Sequence, residues 1–227
     1  MSRLLAISDI HGCANTFTDL LEKISLTKED ELYLLGDYID RGPRSKAVLD
    51  KILQLRQDGY RLHCLRGNHE QMMLEAPQSH EYATIWLRNG GREVMQEFNT
   101  EVFSEIPDKY YNFLSNLSYF FDRGDQLFVH AGFKMSEDNP LEDRKPMLWI
   151  RKWEEQAGVL SWLQGRTVVH GHTPQTEDAI RERFDNLDKF PILNIDNGCC
   201  FHLREGYHQL CCVDLTNKKL YFQPNID

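Results

Sequence analysis

Short apolar runs alternate with stretches of helical period along the first 75 residues. Leu4–Ile7 is apolar and is followed by Asp9 and Gly12, the pattern of a buried strand. Residues 16–24 set Phe17, Leu20, Leu21 and Ile24 at helical spacing on one face. Residues 32–35 predict a second buried strand that closes at Gly36. Residues 45–55 predict a second amphipathic helix, and Pro43 and Ser45 suit its start. Residues 61–65 predict a third strand, followed at once by Gly67 and a helix from about His69. Alternation of this kind predicts an α/β sheet.

Residues 77–119 differ. They are helical in pattern and rich in aromatics (Tyr82, Trp86, Phe98, Phe103, Tyr110, Tyr111 and Phe113), with no catalytic pattern among them. A helical layer packed on the sheet accounts for them better than a substrate cap. Strand patterns resume at 127–130 and 167–169. The last third is β-rich, with strands predicted at 192–195, 209–213 and 219–222 and a turn near Thr216 and Asn217. No repeat, low-complexity segment or linker interrupts the chain, so residues 1–227 are expected to form a single domain.

The polar residues at the ends of these strands change the picture. Asp9-Ile10-His11-Gly12, Gly36-Asp37-Tyr38-Ile39-Asp40-Arg41-Gly42, Gly67-Asn68-His69-Glu70, His130-Ala131-Gly132 and His170-Gly171-His172-Thr173 each end or follow an apolar run. In open α/β sheets, ligands bind beyond the carboxyl ends of the strands, so five such loops can converge on one site. Asp9 and His11, two apart, can grip one divalent ion. Asp37 has two carboxylate oxygens and can bridge two ions. Asn68 offers a neutral amide oxygen, and His130 and His172 end further strands. A nitrogen and oxygen donor set without thiolate suits Mn, Fe, Zn or a similar ion. Two such ions clamp a phosphoryl group and lower the pKa of a bridging water. Asp40 and His69 make an acid–base pair able to protonate a leaving alkoxide. Arg41 can fork onto phosphate oxygens, and Gly42 and Gly67 allow close backbone approach. His170 reads as a packing or supporting residue, and His63, His80, His202 and His208 match no pattern.

Composition narrows the classes. A formal net charge of −9 argues against a nucleic-acid-binding surface and leaves phosphate attraction to local groups. Six cysteines without CxxC spacing suggest reduced, mostly buried thiols and a cytoplasmic protein. The opening strand leaves no room for a signal peptide, and no apolar run is long enough to cross a membrane.

Together the motifs resemble the phosphoprotein phosphatase family of calcineurin-like metallophosphoesterases, over roughly residues 5–175. The GDxxDRG and GNHE pair is the specific part of that resemblance. It implies a four-layer αββα sandwich with two divalent ions (Mn, Fe, Zn or Mg) at the strand C-terminal ends. It implies Asp9, His11 and Asp37 on one ion and Asp37, Asn68, His130 and His172 on the other. It further implies in-line attack on phosphorus by a metal-bridged hydroxide, leaving-group protonation by His69 with Asp40, and phosphate binding by Arg41. Leu148-Trp149-Ile150-Arg151 resembles a segment of bacterial members in which the arginine, here Arg151, also meets phosphate. Asn194-Ile195-Asp196-Asn197-Gly198 resembles the bacterial branch and not the eukaryotic one. Pro174 stands where other metallophosphoesterases carry a second histidine, which favours the phosphatase branch. The activity expected is serine/threonine protein phosphatase, with a dinucleoside tetraphosphate hydrolase as the alternative. The expected partner is a phosphorylated protein or small phosphoester; oligomeric state is left open.

Overall fold

Apolar runs of four residues are too short for stable helices and long enough for strands buried on both faces, and the chain uses them so. The computed structural model describes residues 2–135, 139–202 and 204–227. β1 (Leu4–Ile7), β2 (Glu31–Leu34) and β3 (Arg61–Cys64) pair in parallel, with Leu5 opposite Leu32 and Leu32 opposite Leu62. β8 (Gln209–Asp214) joins β1 antiparallel and β9 (Lys219–Pro224) follows β8, giving the order β3-β2-β1-β8-β9. The second sheet runs β4-β5-β6-β7. There β5 (Gln126–Val129), β6 (Thr167–His170) and β7 (Ile192–Asn194) are parallel and β4 (Phe120–Asp122) is antiparallel. The edge strand β4 is not among the expected strands. The others lie within two residues of their expected bounds.

The two sheets face each other across Ala6, Tyr33, Phe128, Val169, Leu193 and Val213. Tyr33 and Phe128 stack there with ring centroids 3.9 Å apart. Truncating a fully buried Phe such as Phe128 to Ala typically costs about 3–5 kcal/mol. On the outer face of the first sheet lie α1 (Ala14–Lys23), α2 (Ser45–Gln57) and α3 (Asn68–Glu75), with Phe17, Leu20, Val48, Leu49, Ile52 and Met73 buried. The same core takes in residues from α4 (His80–Trp86), α5 (Arg92–Glu97) and α6 (Asp108–Ser115), so residues 77–119 do form a helical layer. α7 (Arg144–Trp149) and α8 (Val159–Leu163) cover the second sheet through Met147, Trp153 and Leu163. This is the αββα order. α9 (Glu177–Asp185) packs Ile180 against the inter-sheet core.

Helix starts are fixed by distant carboxylates. Asp227 accepts from the Asn15 and Thr16 N–H groups of α1 at 3.1 and 2.9 Å, and Glu97 accepts from those of Ser45 and Lys46 in α2, both at 2.8 Å. All six cysteines are free and five are buried, as expected. Among the described residues, no helix is long and apolar enough to cross a membrane.

Candidate metal centre

Five strands deliver their following loops to one place, and backbone hydrogen bonds lock the loops together. The His11 N–H donates to the Asp37 carbonyl and the Gly171 N–H to the His130 carbonyl, both at 2.8 Å. The His172 N–H reaches both Asp9 carboxylate oxygens, at 3.1 and 3.2 Å, and the Ser8 hydroxyl donates to the same carboxylate. Asp9, His11, Asp37, Asp40, Arg41 and His172 all sit at positive φ. Non-glycine residues there cost on the order of 1–3 kcal/mol each and persist only where the surroundings fix them. Gly67 is required by contact: a Cβ on it would fall onto the Asp37 side chain.

The side chains converge in two groups, the first with His69 where the resemblance implies Asp9. His11, Asp37 and His69 bring one ligand atom each within 4.8 Å of one another, and so do Asp37, His130 and His172. His130 Nε2, His172 Nδ1 and Asn68 Oδ1 form a triangle with sides of 2.9, 3.0 and 3.2 Å. Donors about 2.1 Å from a common ion at octahedral angles stand roughly 3.0 Å apart, so this triangle has the size of one face of a coordination shell. His130 gives its Nδ1 proton to the Leu35 carbonyl at 2.8 Å and His11 its Nδ1 proton to that of Ile39 at 3.0 Å. Both Nε2 atoms are thereby left bare and aimed inward. Asp37 Oδ2 lies 3.5 Å from His11 Nε2 and 3.6 Å from His130 Nε2, between the two groups, as a bridging carboxylate would. Arg41 Nη1 donates to His11 Nε2 at 2.8 Å, so the guanidinium is at the same centre. Arg151 is farther out, exposed, and donates to Thr173 Oγ1 at 3.0 Å.

His69 and Asp40 are a pair in fact. His69 Nδ1 is 2.6 Å from Asp40 Oδ2, both are buried, and His69 Nε2 faces Asp37 at 4.0 Å.

The pattern of the calcineurin-like phosphoesterase family matches residues 2–201, which hold every loop described so far. The chain belongs to that family. This calcineurin-like phosphoesterase is 40% identical over 86 residues to serine/threonine-protein phosphatase 1 of Salmonella typhimurium, covering 37% of each chain. It is 38% identical over 76 residues to the symmetrical bis(5'-nucleosyl)-tetraphosphatase of Delftia acidovorans, covering 33% of this chain and 26% of that one. The matched stretches thus span a quarter to about a third of these relatives. The solved cold-active protein-tyrosine phosphatase of a psychrophilic Shewanella superposes with a TM-score of 0.66 at 18% identity, covering 98% of this chain and 80% of that one. At that identity the likeness speaks for the fold.

Within this calcineurin-like phosphoesterase the electrostatics fit a multivalent cation. Burial, then the Asp9 and Glu70 carboxylates, pushes Asp37 well above the usual carboxylate range. Burial and then Glu70 do the same to Asp40, and burial and then Asp9 to Asp196. Burial, followed by the neighbouring Arg41, drives His11 well below the usual imidazole value; burial and then His130 drive His172 down to about 2. Crowded carboxylates beside unprotonated imidazoles are the donor set a divalent ion would neutralise. The buried Nε2 of His172 also has no hydrogen-bond partner among the described residues.

Three residues that sequence reasoning left without a role stand beside the centre. Glu70 Oε1 accepts from the Tyr38 N–H at 2.8 Å, and its Oε2 from Asp37 at 2.8 Å and Gly67 at 2.9 Å, so one buried carboxylate shapes two loops. Its place in the first turn of α3, three residues after Gly67, is a capping-box signal that could have flagged it. Trp86 donates its indole N–H to both Asp40 oxygens at 3.1 Å. Asp196 is 3% exposed and accepts from the Gly198 N–H at 2.8 Å. Nothing in its local sequence marks Trp86; Asp196 stands two residues past β7 in a segment noted only for its resemblance to the bacterial branch. His170 is buried against Trp153, and its ring Nδ1 donates to the neighbouring Gly171 carbonyl at 3.2 Å, consistent with a packing role. His63 stacks on Tyr33, away from the centre.

Proposed function

We propose that this protein is a metal-dependent phosphomonoester hydrolase whose substrates are phosphoserine and phosphothreonine in proteins. The observation that carries the reading is the Asp40–His69 bond of 2.6 Å set against the converging ring of Asp37, Asn68, His130 and His172. Asp9, His11 and Asp37 would hold one divalent ion and Asp37, Asn68, His130 and His172 the second. Such a pair supplies Lewis acidity toward the phosphoryl group and a nucleophilic oxygen at neutral pH. Arg41, exposed and already directed to His11, binds and orients the non-bridging phosphate oxygens, with Arg151 at the rim. His69 Nε2 delivers the proton to the leaving oxygen while Asp40 holds Nδ1 and offsets the imidazolium charge. Burial lowers the pKa of His69 and raises that of Asp40, and the 2.6 Å bond between them lets the two share one proton. The reading takes residues 1–227 as one catalytic domain.

The Salmonella relative and the exposed rim, where Trp149 and Arg151 face solvent, support a polypeptide substrate. The Delftia relative favours a second reading, hydrolysis of a dinucleoside tetraphosphate. The test is phosphate release by the manganese-loaded protein from phosphoserine, phosphothreonine and phosphotyrosine peptides beside diadenosine tetraphosphate. Turnover of the phosphoserine and phosphothreonine peptides, lowered at least about 100-fold in His69→Asn, is the expected result. Cleavage of the dinucleotide alone moves the enzyme to the second reading.

A further inference from the structure

The helical layer does more than cover the sheet. Trp86 ends α4 and is fully buried, as is Asp40. The indole Nε1 donates to Oδ1 and Oδ2 of Asp40, both at 3.1 Å, so the N–H bisects the carboxylate. The Asp40 backbone N–H is held separately by Ser45 Oγ at 3.0 Å. With Oδ2 also taking His69 at 2.6 Å, two side chains hold the carboxylate, and together they oppose its rotation about the Cβ–Cγ bond.

The chain is bent to make this contact. Residues 87–91 form a widened turn between α4 and α5, with Gly90 at φ +117°. A Cβ on Gly90 would stand 2.5 Å from the Arg41 N and 2.7 Å from Asp40 Cβ, and one on Gly91 would enter the Trp86 ring. The two helices meet at a kink rather than a continuous helix, and two consecutive glycines let that kink lie against the Asp40–Arg41 backbone. A buried indole N–H needs some acceptor, and here the bend delivers it to both oxygens of the carboxylate that holds His69.

We propose that Trp86 is a positioning residue for leaving-group protonation: its indole N–H orients the Asp40 carboxylate so that His69 presents Nε2 to the leaving oxygen. The proposal rests on the reading of His69 as the acid, and its test separates the two. The measurement is kcat and KM of the manganese-loaded enzyme on p-nitrophenyl phosphate, whose leaving group needs little protonation, and on phenyl phosphate, which needs more. The variants are Trp86→Phe, Trp86→3-benzothienylalanine, which keeps the bicyclic shape and lacks the N–H, and His69→Asn. A hydrogen bond to a charged group has the strength to change rates by about 10- to 100-fold. We therefore expect both Trp86 variants to lose at least about tenfold in kcat on phenyl phosphate and under about threefold on p-nitrophenyl phosphate, with KM nearly constant and bound manganese unchanged. His69→Asn should show the same selectivity, larger, and Trp86→Phe added to it should cost little more. If His69→Asn is leaving-group selective and the benzothienyl variant is not, the role of Trp86 is overturned and that of His69 stands. If His69→Asn itself loses equally on both esters, the acid assignment falls and the inference falls with it.

Discussion

The first sheet buries carboxylates at both ends of its strands, and the two ends treat them in opposite ways. Before β2, Asp30 is 3% exposed and fully partnered: Arg3 Nε and Nη2 at 2.9 and 2.6 Å, Thr27 N–H and Oγ1 at 2.8 and 3.0 Å. Arg3 holds it far below the usual carboxylate range. Beyond the strands' carboxyl ends, Asp37 and Asp40, with Asp196 after β7 of the facing sheet, are as deeply buried, and burial together with neighbouring carboxylates pushes all three up. The first arrangement contributes to folding. The second costs folding energy until something positive arrives, which is the usual signature of a functional site. The backbone agrees: six residues of the strand-end loops sit at positive φ, held by bonds such as those from Glu70.

The contrast can be broken most severely at the acid. His69→Asn should lower turnover by about 10²- to 10⁴-fold, the range for a general acid, while bound manganese and thermal stability stay close to native; steady-state kinetics and metal analysis check this. Next comes the satisfied end. Asp30→Asn should cost about 1–3 kcal/mol at pH 7, with specific activity of the folded protein kept. Because the folded pKa of Asp30 is depressed, its stabilisation is complete above the unfolded value of about 4 and lost as pH falls. The gap between native and variant in denaturant melts should therefore narrow below about pH 4. The smallest effect has the opposite sign. The raised pKa of Asp196 means that its burial destabilises the ion-free fold as pH rises above about 4. Asp196→Asn should thus raise ion-free stability at pH 7, read as a higher melting temperature, and the gain should shrink when divalent ions are added.

How much of this was legible follows from how local each signal is. Asp9, His11, Asp37, Asn68, His130 and His172 could be assembled because each stands within four residues of a strand end, and parallel strands bring such ends together. The pairing of Asp40 with His69 could be read for the same reason. Trp86 could not: its partner is 46 residues away, and an aromatic on a helix normally means core. Asp196 escaped because its carboxylate neighbour Asp9 lies near the other end of the chain. β4 has only three residues, and its pairing with β5 carries more information than its sequence. The helical layer over residues 77–119 was read correctly as packing and incompletely as support for Asp40.

The central claim is that the strand-end loops form a centre for two ions. Equilibrium dialysis against manganese, with metal analysis of native protein, His11→Ala and His130→Ala, tests it directly. The account predicts two tightly held ions per native chain and one in each variant, with phosphate release lost in both variants. Two ions retained in either variant, or none held by the native protein, would contradict it.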